Sequence, residues 1–127
     1  MAKRPELAKS ELEVAQIVWQ LGKATVREVL AQLPTDRGLD FKTVQTYLRR
    51  LESKGYLTSL LDGRTRVYRT KAKPQNVVRT LIDDFVQRVF QGETLPLVQS
   101  LIQDRNLSTE DLQRLRDLLD DELENTP

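Results

Sequence analysis

The sequence predicts a mainly α-helical protein with one small β-hairpin, built as an N-terminal unit over residues 1–73 and a helical C-terminal unit over 74–127. Three observations carry this. Apolar residues recur at helical spacing in six segments. One Asp-Gly pair, Asp62-Gly63, stands between two strand-like runs. Between the third and fourth helical segments, the stretch Thr70-Lys71-Ala72-Lys73-Pro74 is polar, basic and broken by proline, which marks a boundary.

Each element has a local cause. Ser10-Glu11-Leu12-Glu13 reads as a capping box opening a helix to about Leu21, with Leu12, Ala15, Val18 and Trp19 inward and Gly22 as the stop. Trp19 is expected as a core anchor. Thr25-Val26-Arg27-Glu28 repeats the capping box for a shorter helix whose Val26, Val29, Leu30 and Leu33 point inward before Pro34 ends it. A polar loop spans Thr35 to Leu39. Asp40 then caps a helix over 40–54, on which Phe41, Val44, Leu48 and Leu51 form one apolar stripe. Gly55 is expected as its left-handed cap. The hairpin has strands Tyr56 to Leu61 and Arg64 to Arg69 around a type I′ turn at Asp62-Gly63, a register that pairs Leu57 with Tyr68 and Leu60 with Thr65.

Beyond the boundary, a helix over Val77 to Phe90 carries Val78, Leu81, Phe85 and Val89 in line, and Gly92 closes it. Pro74 suits its first turn. A short helix around Leu95–Asp104 carries Leu97, Val98, Leu101 and Ile102. Ser108-Thr109-Glu110-Asp111 caps a last helix with Leu112, Leu115, Leu119 and Leu123 in line. Three short helices hold too little core to stand alone. Their stripes either pack back on the first unit or meet the same stripes of a second copy, and the Pro-containing linker favours a dimer built from residues 77–123.

The polar face of the helix over 40–54 is the most informative surface. It carries Lys42, Thr43, Gln45, Thr46, Arg49 and Arg50, with no acid before Glu52. Long cations beside hydroxyls and an amide suit phosphates and base edges in a DNA groove. Such a face is often merely solvated. Here a hairpin with Arg64, Arg66 and Arg69 on its returning strand follows at once, which is the winged helix-turn-helix layout. Arg50, Arg64 and Arg66 are expected on the DNA backbone, with Ser10, Lys23 or Thr25 as additional phosphate partners. Gln45 either reads a base or stays solvated. Arg69 is expected to brace the hairpin base and Tyr47 to pack.

Composition excludes much else. Cysteine and histidine are both absent. That removes disulfides, thiolate or imidazole metal sites, and Ser-His or Cys-His catalysis. No metal or cofactor is expected. The acidic pairs Asp83-Asp84 and Asp120-Asp121 lie on helices, where neighbours point about 100° apart and do not converge on a substrate, so no enzyme is expected. No apolar run reaches membrane-spanning length, and no apolar segment follows Lys3 and Arg4. A soluble, cytoplasmic protein is expected, without a membrane partner. The formal charge of +1 conceals two halves: residues 1–73 carry a surplus of seven positive charges and 74–127 a surplus of six negative. A basic half beside an acidic one suggests that only the first faces a polyanion. The competing reading is a winged-helix module that binds another protein without sequence-specific DNA binding.

Several segments together resemble the BlaI/MecI/CopY (penicillinase repressor) family. They are Leu12-Glu13-Val14 with Ile17-Val18-Trp19, Ala24-Thr25-Val26-Arg27-Glu28-Val29, the run from Lys42 to Leu51, Lys54-Gly55-Tyr56-Leu57, Asp62-Gly63-Arg64 with Tyr68, and Leu107-Ser108-Thr109-Glu110-Asp111-Leu112. The match keeps one register over nearly the whole chain. The resemblance implies a homodimeric transcriptional repressor with an N-terminal winged helix and a C-terminal helical dimerisation domain, binding palindromes with TACA and TGTA half-sites. It places Lys42, Thr43 and Thr46 among the base- and phosphate-contacting residues. Drug-responsive members are released by cleavage at an Asn-Phe bond through a membrane sensor. The aligned pair here is Ser100-Leu101, a departure that counts against that cleavage position and against a regulatory protease or sensor as partner. The cysteine cluster of copper-responsive members is absent.

Overall fold

The computed structural model describes residues 4–104 and 106–127; Lys3, named above, lies outside them. The chain divides into two compact units, the first running through Arg79 and the second starting at Thr80.

The first unit contains α1 (Lys9–Leu21), β1 (Lys23–Ala24), α2 (Val26–Gln32), a single 3-10 turn (Thr35–Arg37) inside the expected polar loop, α3 (Phe41–Ser53), β2 (Leu57–Asp62), β3 (Thr65–Thr70) and the opening of α4 (Pro74–Phe90). Val14, Ala15 and Val18 of α1, Val29 of α2, Val44, Leu48 and Leu51 of α3, and Leu57 and Tyr68 of the sheet are all but inaccessible to solvent. α2 begins as predicted: Thr25 Oγ1 accepts from the Glu28 N–H at 3.2 Å, and the Thr25 N–H donates to Glu28 Oε1 at 2.9 Å. α4 likewise starts at Pro74.

α1 departs from expectation. Its N-cap is Ala8, not Ser10, and the Ala8 N–H donates to Glu11 Oε1 at 2.9 Å. Glu11 is turned inward, 2% exposed, because Lys54 Nζ meets the same oxygen at 2.6 Å. That pull sets the cap three residues ahead of Glu11 and leaves the Ser10 hydroxyl inside the first turn. The buried arc is Val14, Ala15, Ile17 and Val18, while Leu12 and Trp19 are only half-buried. The apolar residues of α1 cover more of the helix than one face can hide.

Residues 4–6 are strapped over the corner between α3 and β2. Lys54 Nζ donates to the Glu6 carbonyl at 2.8 Å, the Tyr56 hydroxyl to the Pro5 carbonyl at 2.7 Å, and Arg4 Nε to the Gly55 carbonyl at 3.2 Å. The corner itself is a glycine-ended helix stop. Gly55 takes φ +89°, its N–H returns to the Glu52 carbonyl and that of Tyr56 to Leu51, which satisfies the last carbonyls of α3.

The strands form an antiparallel sheet in the order β1-β3-β2. β1, two residues pairing Lys23 with Arg69 and Ala24 with Tyr68, was not expected. The hairpin register also differs from prediction: Leu57 pairs with Thr70, Leu60 with Val67 and Asp62 with Thr65. Asp62 closes the ladder, and the turn is Gly63-Arg64, with positive φ at Gly63 and not at Arg64. A turn with glycine first and a turn with Asp-Gly at its centre are served by the same dipeptide, so the sequence signal did not separate them. The pairing slips by two residues, which keeps every side chain on its predicted face.

The second unit holds the remainder of α4, α5 (Thr94–Asp104) and α6 (Thr109–Asn125). α4 ends with Gln91 and Gly92 both at positive φ, and the Gly92 N–H reaches back to the Val86 carbonyl. Ser108 caps α6 as predicted, its Oγ accepting from the Asp111 N–H at 3.1 Å. Along the expected stripes, Leu81, Leu97 and Leu115 are half-buried, whereas Val78, Phe85, Val89, Leu101, Leu112, Leu119 and Leu123 are exposed. Val77 and Val86 are the buried residues of α4. Among the described residues, no helix is long and apolar enough to cross a membrane.

Candidate nucleic-acid interface

The candidate site starts from the cap of α3. Asp40 Oδ1 accepts from the Thr43 N–H at 2.8 Å, and the hydrogen bonds from Thr43 hold the Asp40 carboxyl below the usual carboxylate range. This fixes the first turn and with it the direction in which the polar face points. Lys42, Thr46, Arg49 and Arg50 are exposed on that face; Thr43 and Gln45 are half-buried at its edges. Thr46 Oγ1 donates to the Lys42 carbonyl at 3.0 Å, so its outward oxygen is left to accept. Arg50 lies toward α1, where its charge helps to stabilise ionised Glu11.

Phe41 contradicts the predicted stripe. It is 40% exposed, and the Arg27 guanidinium sits 5.4 Å from its ring centroid. At the first position of the helix the apolar stripe has already run past the core, and a cation from α2 covers the ring instead.

The hairpin presents its inner face to α3. Leu61 and Arg66 stand opposite each other, as do Ser59 and Tyr68, and Tyr68 is buried. Arg66 Nη1 donates to Ser59 Oγ at 2.9 Å, and Ser59 Oγ donates to Glu52 Oε2 at 2.5 Å. Helix and wing are thereby tied by a three-residue relay. Burial, chiefly, and the nearby Glu52 charge raise the Tyr68 phenol above its ordinary pKa, partly offset by Arg66 and Arg49. Tyr68 therefore stays a neutral hydroxyl beside two guanidinium groups.

A groove of about 310 Å³ runs between these elements. Gln45 and Arg49 of α3 line it with Arg64 and Arg66 of the wing, and Thr25, Arg27 and Phe41 close its third side. Four of the predicted residues thus meet in one place. Lys42, Thr43, Thr46 and Arg50 lie elsewhere on α3. Of the additional phosphate partners, Thr25 lines the groove but is committed to its capping box, and Lys23 stands on β1 opposite Arg69, both exposed. Sequence reasoning missed Arg27, the exposure of Phe41, and the Glu52–Ser59–Arg66 relay. Only the pairing of strands and helices in space brings these together, and no local spacing signals them.

The basic helix-and-wing surface has counterparts among known proteins. The penicillinase repressor family model matches residues 7–121. The penicillinase repressor of Bacillus licheniformis is 28% identical over 121 residues, covering 95% of this chain and 94% of that one. The solution structure of the DNA-binding domain of the repressor BlaI is 33% identical, covers 60% of this chain and 93% of that domain, and superposes with a TM-score of 0.52. The B. licheniformis BlaI monomeric form in complex with the blaP half-operator gives the same identity and coverage with a TM-score of 0.50. The winged-helix unit and a family match over nearly the whole length agree: the chain belongs to the penicillinase repressor family, DNA-binding transcriptional repressors and not enzymes.

Proposed function

We propose that the protein acts as a homodimer on a palindromic operator of the TACA/TGTA type. In this reading α3 enters the major groove and the hairpin lies along the backbone. The observation that carries it is the groove in which Gln45 and Arg49 of the helix meet Arg64 and Arg66 of the wing. Lys42, Thr43, Gln45, Thr46 and Arg49 line the recognition helix, and Arg50, Arg64 and Arg66 contact the backbone. A relative bound as a monomer to a half-operator supports a full site made of two halves. The uncovered stripe of Phe85, Val89, Leu101, Leu112, Leu119 and Leu123 supports a second copy as the partner that buries it.

Release of the repressor by cutting at Ser100-Leu101 has little support. The pair lies well inside α5, where the backbone is wound into helix, and a protease needs an extended segment.

The test is a titration of a palindromic promoter fragment with Lys42→Ala and Thr46→Ala variants. Each good base contact is worth about 1–3 kcal/mol, so each variant is expected to lose about five- to 150-fold in affinity per half-site and to relax sequence preference. Equal binding of all duplexes by the unaltered protein would instead favour a protein-interaction module.

A further inference from the structure

We infer that Arg27, on α2, belongs to the DNA-binding surface and seats one backbone phosphate together with Arg49 and Arg64. The inference rests on the repressor reading above. Its ground is the third wall of the groove, which the start of α2 supplies together with Phe41 at the first position of α3. There Arg27 lies 5.4 Å above the Phe41 ring, on the same groove as Gln45, Arg49, Arg64 and Arg66.

Three features make this a phosphate seat. Four arginines line a space of about 310 Å³, the acids Glu13 and Glu11 are paired elsewhere with Arg37 and Lys54, and Glu52 accepts from Ser59. The groove lining itself contains no carboxylate. A guanidinium offers a planar fork that matches two phosphate oxygens, and stacking on an aromatic ring holds that fork in place before the ligand arrives. Phe41, 40% exposed and lining the groove, stabilises the cation above its ring, a role open to an aromatic residue that stands outside the core. Phosphate contacts position a duplex without reading sequence, so Arg27 sets register and strength, and α3 sets choice.

The test measures operator affinity as a function of salt for the full-length protein, Arg27→Gln and Arg27→Lys. Neutralising one phosphate contributes about 0.9 to the slope of log K against log salt. Each half-site carries one Arg27, so on the full operator Arg27→Gln is expected to bind at least about tenfold more weakly at moderate salt, with a slope shallower by about two and unchanged sequence preference. Arg27→Lys keeps the charge, so its slope is expected to stay and its affinity to fall by less. Duplexes carrying a neutral methylphosphonate at single positions locate the contact: at one position the substitution should weaken the unaltered protein more than it weakens Arg27→Gln, in which Arg49 and Arg64 still hold that phosphate. A methylphosphonate scan in which both proteins lose equally at every position overturns the seat, as does an unchanged slope for Arg27→Gln. A parent protein that binds no duplex at all overturns the repressor reading instead.

Discussion

The two units solve the burial of apolar residues in opposite ways. In the first, Val44, Leu48 and Leu51 of α3 close completely against α1, α2 and the sheet. In the second, Leu119 and Leu123 of α6 remain 60% and 75% exposed although their spacing is equally regular. Helical periodicity is the same in both; what differs is whether the chain itself supplies the surface opposite. The first unit carries its own core. The second leaves these residues exposed, and under the proposed dimer its stability is tied to the copy that covers them.

The strongest way to break the first unit is through the ion pair between buried Glu11 and half-buried Lys54. Lys54→Met leaves the Glu11 carboxylate at the interior with its partner gone, and removing one member of a buried pair costs about 3–5 kcal/mol. Denaturant unfolding of the variant against the parent checks this. The pair also sets a pH dependence. Burial alone would raise the Glu11 pKa, but the hydrogen bonds from Lys54 and Ala8 and the charges of Lys54 and Arg50 outweigh it and hold the carboxyl below its ordinary value. A carboxyl depressed in the folded state stabilises fully above its unfolded pKa, and that contribution is lost as pH falls through the folded value. Acid unfolding of the parent is therefore expected to show a step below the normal glutamate range that the Lys54→Met variant lacks.

A matched pair of substitutions sharpens the contrast. Leu51→Ala opens a cavity and should cost about 2–5 kcal/mol at any protein concentration. Leu119→Ala removes the same atoms from an exposed position. It should leave the isolated chain nearly as stable, while sedimentation shows a shift toward monomer and operator affinity falls with it. Equal, concentration-independent losses for the two would refute the proposed dimer face. The smallest expected effect is at a cap: Thr25→Ala removes the hydroxyl acceptor at the start of α2 for about 1 kcal/mol, seen as a small drop in thermal midpoint.

What was legible in the sequence follows the range of the forces involved. The caps at Thr25, Asp40 and Ser108 and the stop at Gly55 depend on neighbours within a turn, and each formed as its residues suggested. β1 is two residues long and exists only because β3 lies beside it. The predicted box paired Ser10 with Glu13, whereas the acid that caps α1 is Glu11, which also binds Lys54 43 residues away. The candidate site divides the same way. Gln45, Arg49, Arg64 and Arg66 could be named from one helix and one hairpin, whereas Arg27 joins them only through the packing of α2 against α3.

The hydrogen-bonded relay Glu52–Ser59–Arg66 has a consequence for how a duplex is measured. In the proposed complex this tie makes wing and helix two jaws set at one spacing. A duplex laid between such jaws has to adjust its own groove width and bend to fit. On the proposed operator, sequences that flex easily there would meet a smaller elastic cost than stiff ones, which would extend discrimination to base pairs that no side chain of the protein touches.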